Sequence, residues 1–334
     1  MALVVVEGPP KRCETQPPAL VILADQAREY AKAAKASETR RGYASDLKRF
    51  AAFCEAHGVA ALPASPPTVA LYLTQLAQRH AVATIRRHLV AIAQAHKNAG
   101  LPSPVADPHV RIIIQGITRT KGTAQRKKTA LTGDLLKEAV ASLDLSTLQG
   151  KRDRAILLLG FALAARRSEL AALNVEDLRY DAKGLVVTIR RSKTDQSGAG
   201  QEIGVPMVGR DELCAVRAVA AWMDTSGIRS GALFRSFGPG GRNRPMRLTA
   251  NRIGGRDVAN LVKRLTGKAD IPGDFAAHSL RAGFITTAAS TPGVTESAIQ
   301  GVSRHRNTDI LRGYVRRATV FEDTPLAAMF GSPE

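Results

Sequence analysis

The sequence predicts a mainly α-helical protein with two domains, the second of which also contains a strand–turn–strand segment. Its 334 residues exceed the usual size of a single domain, and the 44% that are hydrophobic can supply two cores. Apolar residues recur at helical spacing through most of the chain. Residues 119–130, "RTKGTAQRKKTA", include five basic residues and no large apolar one, which is typical of an exposed connector between domains.

The first domain, residues 21–118, is predicted to be entirely helical. One helix has apolar residues at steps of four, three and four, and Ser37 is placed to cap its start. Those apolar residues are Tyr43, Leu47, Phe50 and Cys54. A second helix follows with Ser65 as its cap and Pro66 in its first turn, and a third spans 84–100. Residues 1–20 hold four prolines and are expected to form a mobile arm before this domain.

The second domain, residues 131–334, begins with a helix and is interrupted at 184–207 by two predicted strands joined by a Gly-rich turn. In residues 157–173, a projection at helical spacing places Arg166 near the centre of an apolar stripe. A buried guanidinium needs an anion, so its partner is expected to be Glu169, a bound phosphate, or both.

The charge of the chain points to a polyanionic partner. The formal net charge is +19, with 15 basic and 8 acidic residues up to position 120 and 33 and 21 after it. Because the excess covers both domains, it favours nucleic acid over a merely soluble basic protein. Each basic residue on a predicted helix or connector is either part of a solvated face or a DNA contact. The candidates are Arg40, Arg41, Lys48, Arg86, Arg87, Lys97, Lys127, Lys128 and Arg256.

Composition argues against several other classes of protein. The three cysteines, Cys13, Cys54 and Cys214, are far apart and form no CxxC pair, so neither a disulfide framework nor a structural zinc site is indicated. No metal or other cofactor is expected. No apolar run is long enough for a membrane span, and the initial "ALVVV" is too short for a secretory signal. We therefore expect a cytoplasmic, nucleoid-associated protein with no membrane contact.

Five residues of the second domain are candidates for chemistry, although each is a weak signal by itself. His278 and Arg281 are spaced to share one face of a helix, and Lys193 follows the first predicted strand at a hairpin tip. His305 is followed nine residues later by Tyr314, in an arginine-rich segment. Taken singly, these residues are more often a satisfied histidine, a solvated lysine or a packed tyrosine.

Their order along the chain resembles that of the tyrosine recombinase (integrase) family. "RRSEL" at 166–170 matches the family's R-x-[SA]-E-[LI], "HSLR" at 278–281 matches HxxR, and "HRNTDILRGY" at 305–314 matches the histidine or tryptophan nine residues before the tyrosine. The resemblance covers nearly the whole chain. Segments 84–104 and 190–200 look especially like the Cre-like site-specific DNA recombinases within the family.

The resemblance implies a role for each of these residues in breaking a phosphodiester bond without metal or ATP. Tyr314 would attack the phosphate and form a 3′-phosphotyrosine, while His278 handles the phenolic proton. The two arginines, Arg166 and Arg281, would hold the phosphoryl oxygens. The remaining implied roles are leaving-group acid for Lys193, a hydrogen bond to the phosphate for His305, and orientation of the site for Glu169.

The same resemblance implies a fold and an assembly. A helical, SAM-like core-binding domain and a mostly helical catalytic domain with a small antiparallel sheet would close as a clamp around double-stranded DNA carrying an inverted-repeat site. A helix at about 324–331, with Thr324 as its cap, would pack on a neighbouring protomer and link a homotetramer on two DNA sites. Folding of this tail onto its own domain is the alternative.

Two other functions remain open at this point. A type IB topoisomerase would use the same arginine, lysine, histidine and tyrosine chemistry to relax DNA without pairing two sites. A non-catalytic sequence-specific DNA-binding protein would need only the basic surface. The complete set of candidate residues argues against the second, and the Cre-like first domain argues against the first.

Overall fold

The fold is known from a computed structural model that describes residues 18–33, 36–124, 128–190, 200–240, 246–305, 312–314 and 329. The chain divides into two compact units, Met1–Arg126 and Lys127–Glu334. Most described residues are helical and the sheets are small and antiparallel, which confirms the predicted fold class. None of the described helices combines the length and the apolar character that a membrane span needs.

The described part of the first unit is helical. Its helices are α1 Pro18–Ala33, α2 Ser37–Ala56, α3 Pro66–Arg79, α4 Val82–Asn98 and α5 Pro108–Lys121. The hydroxyl of Ser65 accepts a hydrogen bond from the Thr68 amide, as predicted for the cap of α3. Helix α2 has Ala36 at its cap position, so the prediction that Ser37 caps it is wrong by one residue. Helix α1 begins inside the predicted arm, whose first 17 residues lie outside the described part.

The first unit has a compact apolar core from α2 to α5. The core includes Phe50, Tyr72, Leu73, Ile85 and Ile92, all buried. Two buried histidines each have a polar partner for a ring nitrogen there. Nδ1 of His88 lies 2.9 Å from the Tyr72 hydroxyl, and Nε2 of His96 accepts from the Ala64 amide. Hydrogen bonding of this kind removes most of the cost of burying a ring nitrogen.

The predicted connector is shorter than the sequence indicated. Helix α5 continues to Lys121, three residues into 119–130, and Gly122 ends it with φ 68°. Thr129 and Leu131 already donate backbone hydrogen bonds to Asp274 and Ser279 of the second unit. Arg119 and Lys121 therefore belong to a helix, and Lys128 lies at the edge of the second unit beside Asp274.

The described helices of the second unit are mostly short. They are α6 Gly133–Ala141, α7 Leu148–Ala162, α8 Arg167–Ala172, α9 Ala215–Ser226, α10 Gly255–Lys268, α11 His278–Ala289 and α12 Glu296–Ser303. Helix α7 packs against both α9 and α11 in the centre of the core. The single tryptophan, Trp222 on α9, is fully buried and donates its indole hydrogen to the Leu233 carbonyl.

The strands of the second unit form two antiparallel sheets. Strands β1 Leu178–Asp181, β2 Gly184–Ile189 and β3 Gln201–Pro206 form one sheet in that order, and β4 Arg235–Phe237 pairs with β5 Leu248–Arg252. The pair β2 and β3 is the predicted hairpin, with Leu185 opposite Val205. The other three strands were not predicted, because they are three to five residues long and lack a buried alternation.

The prediction of one continuous helix over 157–173 is wrong. Helix α7 ends at Ala162, Ala164 adopts a left-handed backbone with φ 43°, and α8 begins at Arg167. Two tight hydrogen bonds, from Ala164 to the Phe161 carbonyl and from Ala165 to the Gly160 carbonyl, close the turn. The turn places Arg166 at the cap of α8 rather than inside an apolar stripe.

Candidate functional site

Six residues named in the sequence analysis meet in the second unit. Arg166 and Glu169 come from the start of α8, His278 and Arg281 from the first turn of α11, His305 from the residues after α12, and Tyr314 from the short helical segment 312–314. They are joined by the contacts described below. Lys193, the seventh candidate, lies outside the described residues.

Glu169 fixes Arg166 in a capping arrangement. Nη1 of Arg166 donates to Oε1 of Glu169 at 2.6 Å, and the Arg166 amide donates to Oε2 at 2.9 Å. The Glu169 side chain is 1% exposed and that of Arg166 is 19% exposed. Because the carboxylate holds Nη1 and the backbone amide, the remaining Arg166 donors are not used by this pair.

Arg281 is a buried cation whose hydrogen-bond partners among the described residues are a carbonyl and a histidine. Its side chain is among the largest fully buried ones, and Nη1 donates to the Ala164 carbonyl at 2.7 Å. Nη2 lies 3.2 and 3.3 Å from the two ring nitrogens of His305. Burial, and then the charge of Arg166, lower the pKa of Arg281 to about 10, so it stays charged at neutral pH. A buried charge whose described hydrogen-bond acceptors are neutral favours an anionic ligand.

His305 is neutral at physiological pH. Burial is the main reason, followed by the charge of Arg281, and together with weaker neighbours they lower the pKa of His305 to about 4. Nδ1 also lies 3.0 Å from the Ser303 hydroxyl. A neutral imidazole can accept one hydrogen bond and donate another, whereas a charged ring beside Arg281 would only donate.

The hydroxyl of Tyr314 contacts His278. The phenolic oxygen lies 2.8 Å from Nε2 of His278, and the Tyr314 ring packs against the small cluster formed by Ile285 and Ile299. Although part of the His278 residue is open to solvent, burial of its ring and the charge of Arg281 lower its pKa. In the tautomer with hydrogen on Nδ1, Nε2 is a base positioned to accept the phenolic proton.

Arg304 belongs to this cluster and was missed by the sequence analysis. Nη2 donates to Oε2 of Glu169 at 2.7 Å, and Nη1 donates to the Leu163 carbonyl at 3.2 Å. Arg304 directly precedes His305 in the sequence, which indicated that it lies near the candidate site. Its burial was not foreseeable from local pattern, because an arginine in an arginine-rich segment is normally solvated.

The candidate DNA contacts lie mostly at the surface. Arg256 is exposed in the first turn of α10, whose Val258, Leu261, Val262 and Leu265 are buried, as predicted. The exposed candidates of the first unit are Arg40, Arg41, Lys48, Arg86, Arg87 and Lys97. Lys127 lies outside the described residues.

Among the candidate DNA contacts that the structure describes, three have carboxylate partners. Arg87 donates twice to the buried Asp46, at 2.7 and 2.8 Å. Lys128 is 2.5 Å from both oxygens of Asp274, and Arg41 pairs with Glu38.

The described residues contain no cluster of three or more histidine, cysteine or acidic residues able to hold a metal ion.

A tyrosine beside a histidine, with two arginines in the same cluster, is the arrangement that the sequence resemblance implies for a tyrosine recombinase. The sequence matches the phage integrase family over residues 130–319, more than half of the chain. The chain therefore belongs to the phage integrase family of tyrosine recombinases, which confirms the resemblance.

Similar proteins occur in a bacterium and in a phage. The integrase/recombinase XerD homolog of Selenomonas ruminantium is 36% identical over 300 residues, covering 89% of this chain and 86% of the relative. The recombinase Cre of Escherichia phage P1 is 30% identical over 190 residues, covering 55% of this chain and 54% of Cre. The first relative spans both units.

Solved structures with the same fold include two recombinases on DNA. The XerH recombinase bound to a palindromic difH substrate aligns with a TM-score of 0.57 at 15% identity, over 79% of this chain and 71% of XerH. A lambda integrase tetramer bound to a Holliday junction aligns with a TM-score of 0.56 at 14% identity, over 90% and 80%. At this identity the likeness concerns the fold alone.

Proposed function

We propose that this protein is a site-specific recombinase that cuts and rejoins duplex DNA through a 3′-phosphotyrosine bond at Tyr314, without metal or ATP. The observation that carries the proposal is the 2.8 Å contact between the Tyr314 hydroxyl and Nε2 of His278. The same cluster contains Arg281, a buried cation whose described hydrogen-bond partners are a carbonyl and a histidine. A nucleophile, a base and an anion site therefore lie together.

The proposed cleavage step is an in-line displacement at phosphorus. The Tyr314 oxygen bonds to the scissile phosphorus, its proton passes to Nε2 of His278, and the bond from phosphorus to the 5′ oxygen breaks. Because a phenol has a pKa of about 10, a neutral histidine in contact assists its ionisation near neutral pH. We assign the proton for the leaving 5′ oxygen to Lys193 on the family likeness. Reversal with another 5′ hydroxyl rejoins the strands without an external energy source.

The arginines are proposed to stabilise charge on the non-bridging oxygens of the phosphate. Guanidinium groups suit this role because they stay charged and present planar pairs of donors. Arg166 and Arg281 are held in place by Glu169 and the Ala164 carbonyl, so they do not need to reorganise during the reaction. His305, neutral and in contact with Arg281, would add one hydrogen bond to the phosphate.

Double-stranded DNA is the proposed partner of both units. The net charge of +19 and the exposed basic side chains on α2, α4 and α10 support this partner. XerH and lambda integrase, which share the fold, have been solved on DNA sites. Arg256 is the candidate for reading a base, because an arginine can pair with guanine through two hydrogen bonds in the major groove. A location at the nucleoid stays a prediction.

The proposal is tested with a nicked duplex whose short cleaved strand diffuses away and traps the covalent complex. The duplex carries a sequence that the protein has selected from a random pool. Tyr314→Phe should bind this DNA with the same affinity and form no covalent adduct in EDTA without ATP. Arg166→Ala and Arg281→Ala should slow adduct formation by a factor on the order of 10². An adduct with Tyr314→Phe would show that another residue is the nucleophile.

A plasmid assay separates the proposed function from relaxation by a topoisomerase. Two copies of the selected site on one supercoiled plasmid should yield recombined products, and removal of one copy should abolish them. If the protein instead relaxes a plasmid with one site as fast as a plasmid with two sites, the result would support the topoisomerase alternative.

A further inference from the structure

Arg304 combines two features that each cost free energy. It ends α12 in a left-handed backbone conformation, with φ 58° and ψ 39°, where glycine is the usual residue. Its side chain is only 5% exposed, so a permanently charged group is removed from water. Such costs persist where the surrounding structure or the function requires them.

Arg304 and Arg166 share the carboxylate of Glu169, and each guanidinium bonds to a different oxygen. Oε2 of Glu169 accepts from Nη2 of Arg304 at 2.7 Å, while Oε1 accepts from Nη1 of Arg166 at 2.6 Å. One buried carboxylate is therefore placed between two arginines. Nη1 of Arg304 also donates to Leu163, next to the Ala164 carbonyl that holds Arg281.

The sharing of Glu169 by the two arginines determines which Arg166 donors point towards a ligand. An arginine and a carboxylate favour a two-bond pairing, in which both carboxylate oxygens take guanidinium hydrogens. Arg304 occupies Oε2 together with the Arg166 amide, so the guanidinium of Arg166 is bonded to Oε1 only. Without the Arg304 side chain, Oε2 would keep the Arg166 amide as its described donor and could accept a second hydrogen bond from the Arg166 guanidinium. This two-bond pairing would rotate Arg166 donors away from a phosphate.

The backbone of Arg304 also directs His305. The Arg304 amide donates to the Gln300 carbonyl at 2.7 Å, and the Gln300 side chain donates to the His305 carbonyl at 2.9 Å. The chain thus turns sharply after α12, and the His305 ring reaches Arg281. Glycine would permit the same turn without the guanidinium.

We propose that Arg304 is a positioning residue for DNA cleavage, acting through Glu169 on the guanidinium of Arg166. The proposal rests on the proposed function, because it assigns Arg166 to the scissile phosphate. It predicts that loss of the Arg304 side chain slows cleavage while DNA affinity and folding are preserved. Because glycine adopts the left-handed backbone readily, Arg304→Gly removes the guanidinium and keeps the turn. The effect of the side chain can therefore be measured apart from the effect of the backbone.

The first test is the single-turnover rate of adduct formation with Arg304→Gly on the nicked duplex described above. We expect the rate to decrease by about 10-fold, as it does for residues that orient a functional side chain without touching the substrate. DNA affinity and the melting temperature should be unchanged. Asp270→Gly is the matched control, because Asp270 is also left-handed, with φ 51°, but is exposed and outside the cluster. The control should cleave at the unmodified rate.

The second test is a double-mutant cycle with Arg166→Ala. If Arg304 acts through Arg166, Arg304→Gly should have almost no further effect on the rate in the Arg166→Ala background. A merely structural role would lower the rate by the same factor in both backgrounds and would overturn the proposal. Arg304→Lys, which keeps one cationic donor, should recover part of the lost rate, and it carries the test if the glycine variant does not fold.

The outcomes for the two proposals are distinct. Adduct formation by Arg304→Gly at the full rate would overturn the role of Arg304 and leave the proposed function intact. A loss of rate with Arg304→Lys that is the same with and without Arg166→Ala would do so as well. Failure of the unmodified protein to form any adduct would overturn the proposed function, and the role of Arg304 with it.

Discussion

The protonation states of two histidines decide what the cluster around Tyr314 can do. Burial and the charge of Arg281 lower the pKa of His278 and of His305, so both rings are neutral at physiological pH. Neutral His278 can accept the Tyr314 proton, and neutral His305 adds no positive charge beside Arg281. The arginines that would attract the phosphate also keep the base available.

The low pKa of His305 predicts a loss of stability on acidification. The folded value is about 4, whereas an unperturbed histidine titrates near ~6.5. Between these values the unfolded chain binds a proton that the folded protein does not, so stability is complete above pH ~6.5 and is lost as the pH falls towards about 4. A full shift of this size corresponds to about 3 kcal/mol as an upper value, which solvent screening of the partly exposed ring reduces.

The measurement is the free energy of unfolding of the second unit as a function of pH. His305→Gln should flatten the curve between pH ~6.5 and about 4, since the titrating group is gone. His57→Gln, which changes a histidine of the first unit, serves as the control and should leave the curve of the second unit unchanged. Equal slopes for His305→Gln and the unmodified protein would contradict the lowered pKa.

Sequence reasoning predicted which residues lie together better than it predicted their surroundings. Six of its seven catalytic candidates lie in one cluster. They were found because the order and spacing of residue types along the chain can be compared with a family pattern without knowledge of the fold. Arg304 escaped because the burial of its side chain depends on partners more than one hundred residues away in sequence, Leu163 and Glu169. Local periodicity holds no such information.

Among the elements, the break between α7 and α8 matters most for the site. The apolar pattern is continuous across it, with Leu159, Leu163 and Leu170 all buried, so periodicity alone predicts one helix. The break is favoured because it lets Glu169 bond to Arg166 and exposes the Leu163 and Ala164 carbonyls to two arginines. A continuous helix would use those carbonyls internally.

Helix α11, which carries His278 and Arg281, is held against the start of the second unit by a close backbone approach at Gly283. A Cβ atom at this position would lie 1.8 Å from the Leu131 carbonyl oxygen. Gly283→Ala should therefore force α11 outwards and destabilise the unit by about 3 kcal/mol, as overpacking of a core does. Thermal or denaturant unfolding measures the change.

Gly267 provides the matched control for this substitution. It lies in helix α10 and is exposed, and a Cβ atom at this position would have open space around it, so Gly267→Ala should stabilise by about 0.5 to 1 kcal/mol. Unchanged stability of Gly283→Ala would mean that α11 does not approach Leu131 this closely.

For the molecule as a whole, the sequence predicted two helical units and the division between them falls within the predicted connector. What it predicted about assembly concerns the C-terminal tail, residues 321–334, of which only Met329 lies in the described part. Met329 is helical and 65% exposed. Exchange of this tail between protomers, which the sequence resemblance implies, stays a prediction.

Deletion of residues 324–334 separates the two hypotheses for this tail. Leu326, Met329 and Phe330 are spaced to form one apolar face of a helix too short to be stable alone, so the face must pack on a protein surface. If that surface belongs to a neighbouring protomer, the truncated protein should bind a half-site with unchanged affinity but lose cooperative binding to two half-sites and lose strand exchange. Electrophoretic mobility shifts and sedimentation on DNA with one or two sites distinguish monomer, dimer and tetramer. Tetramers and recombination at the full-length rate after truncation would instead place the tail on its own subunit.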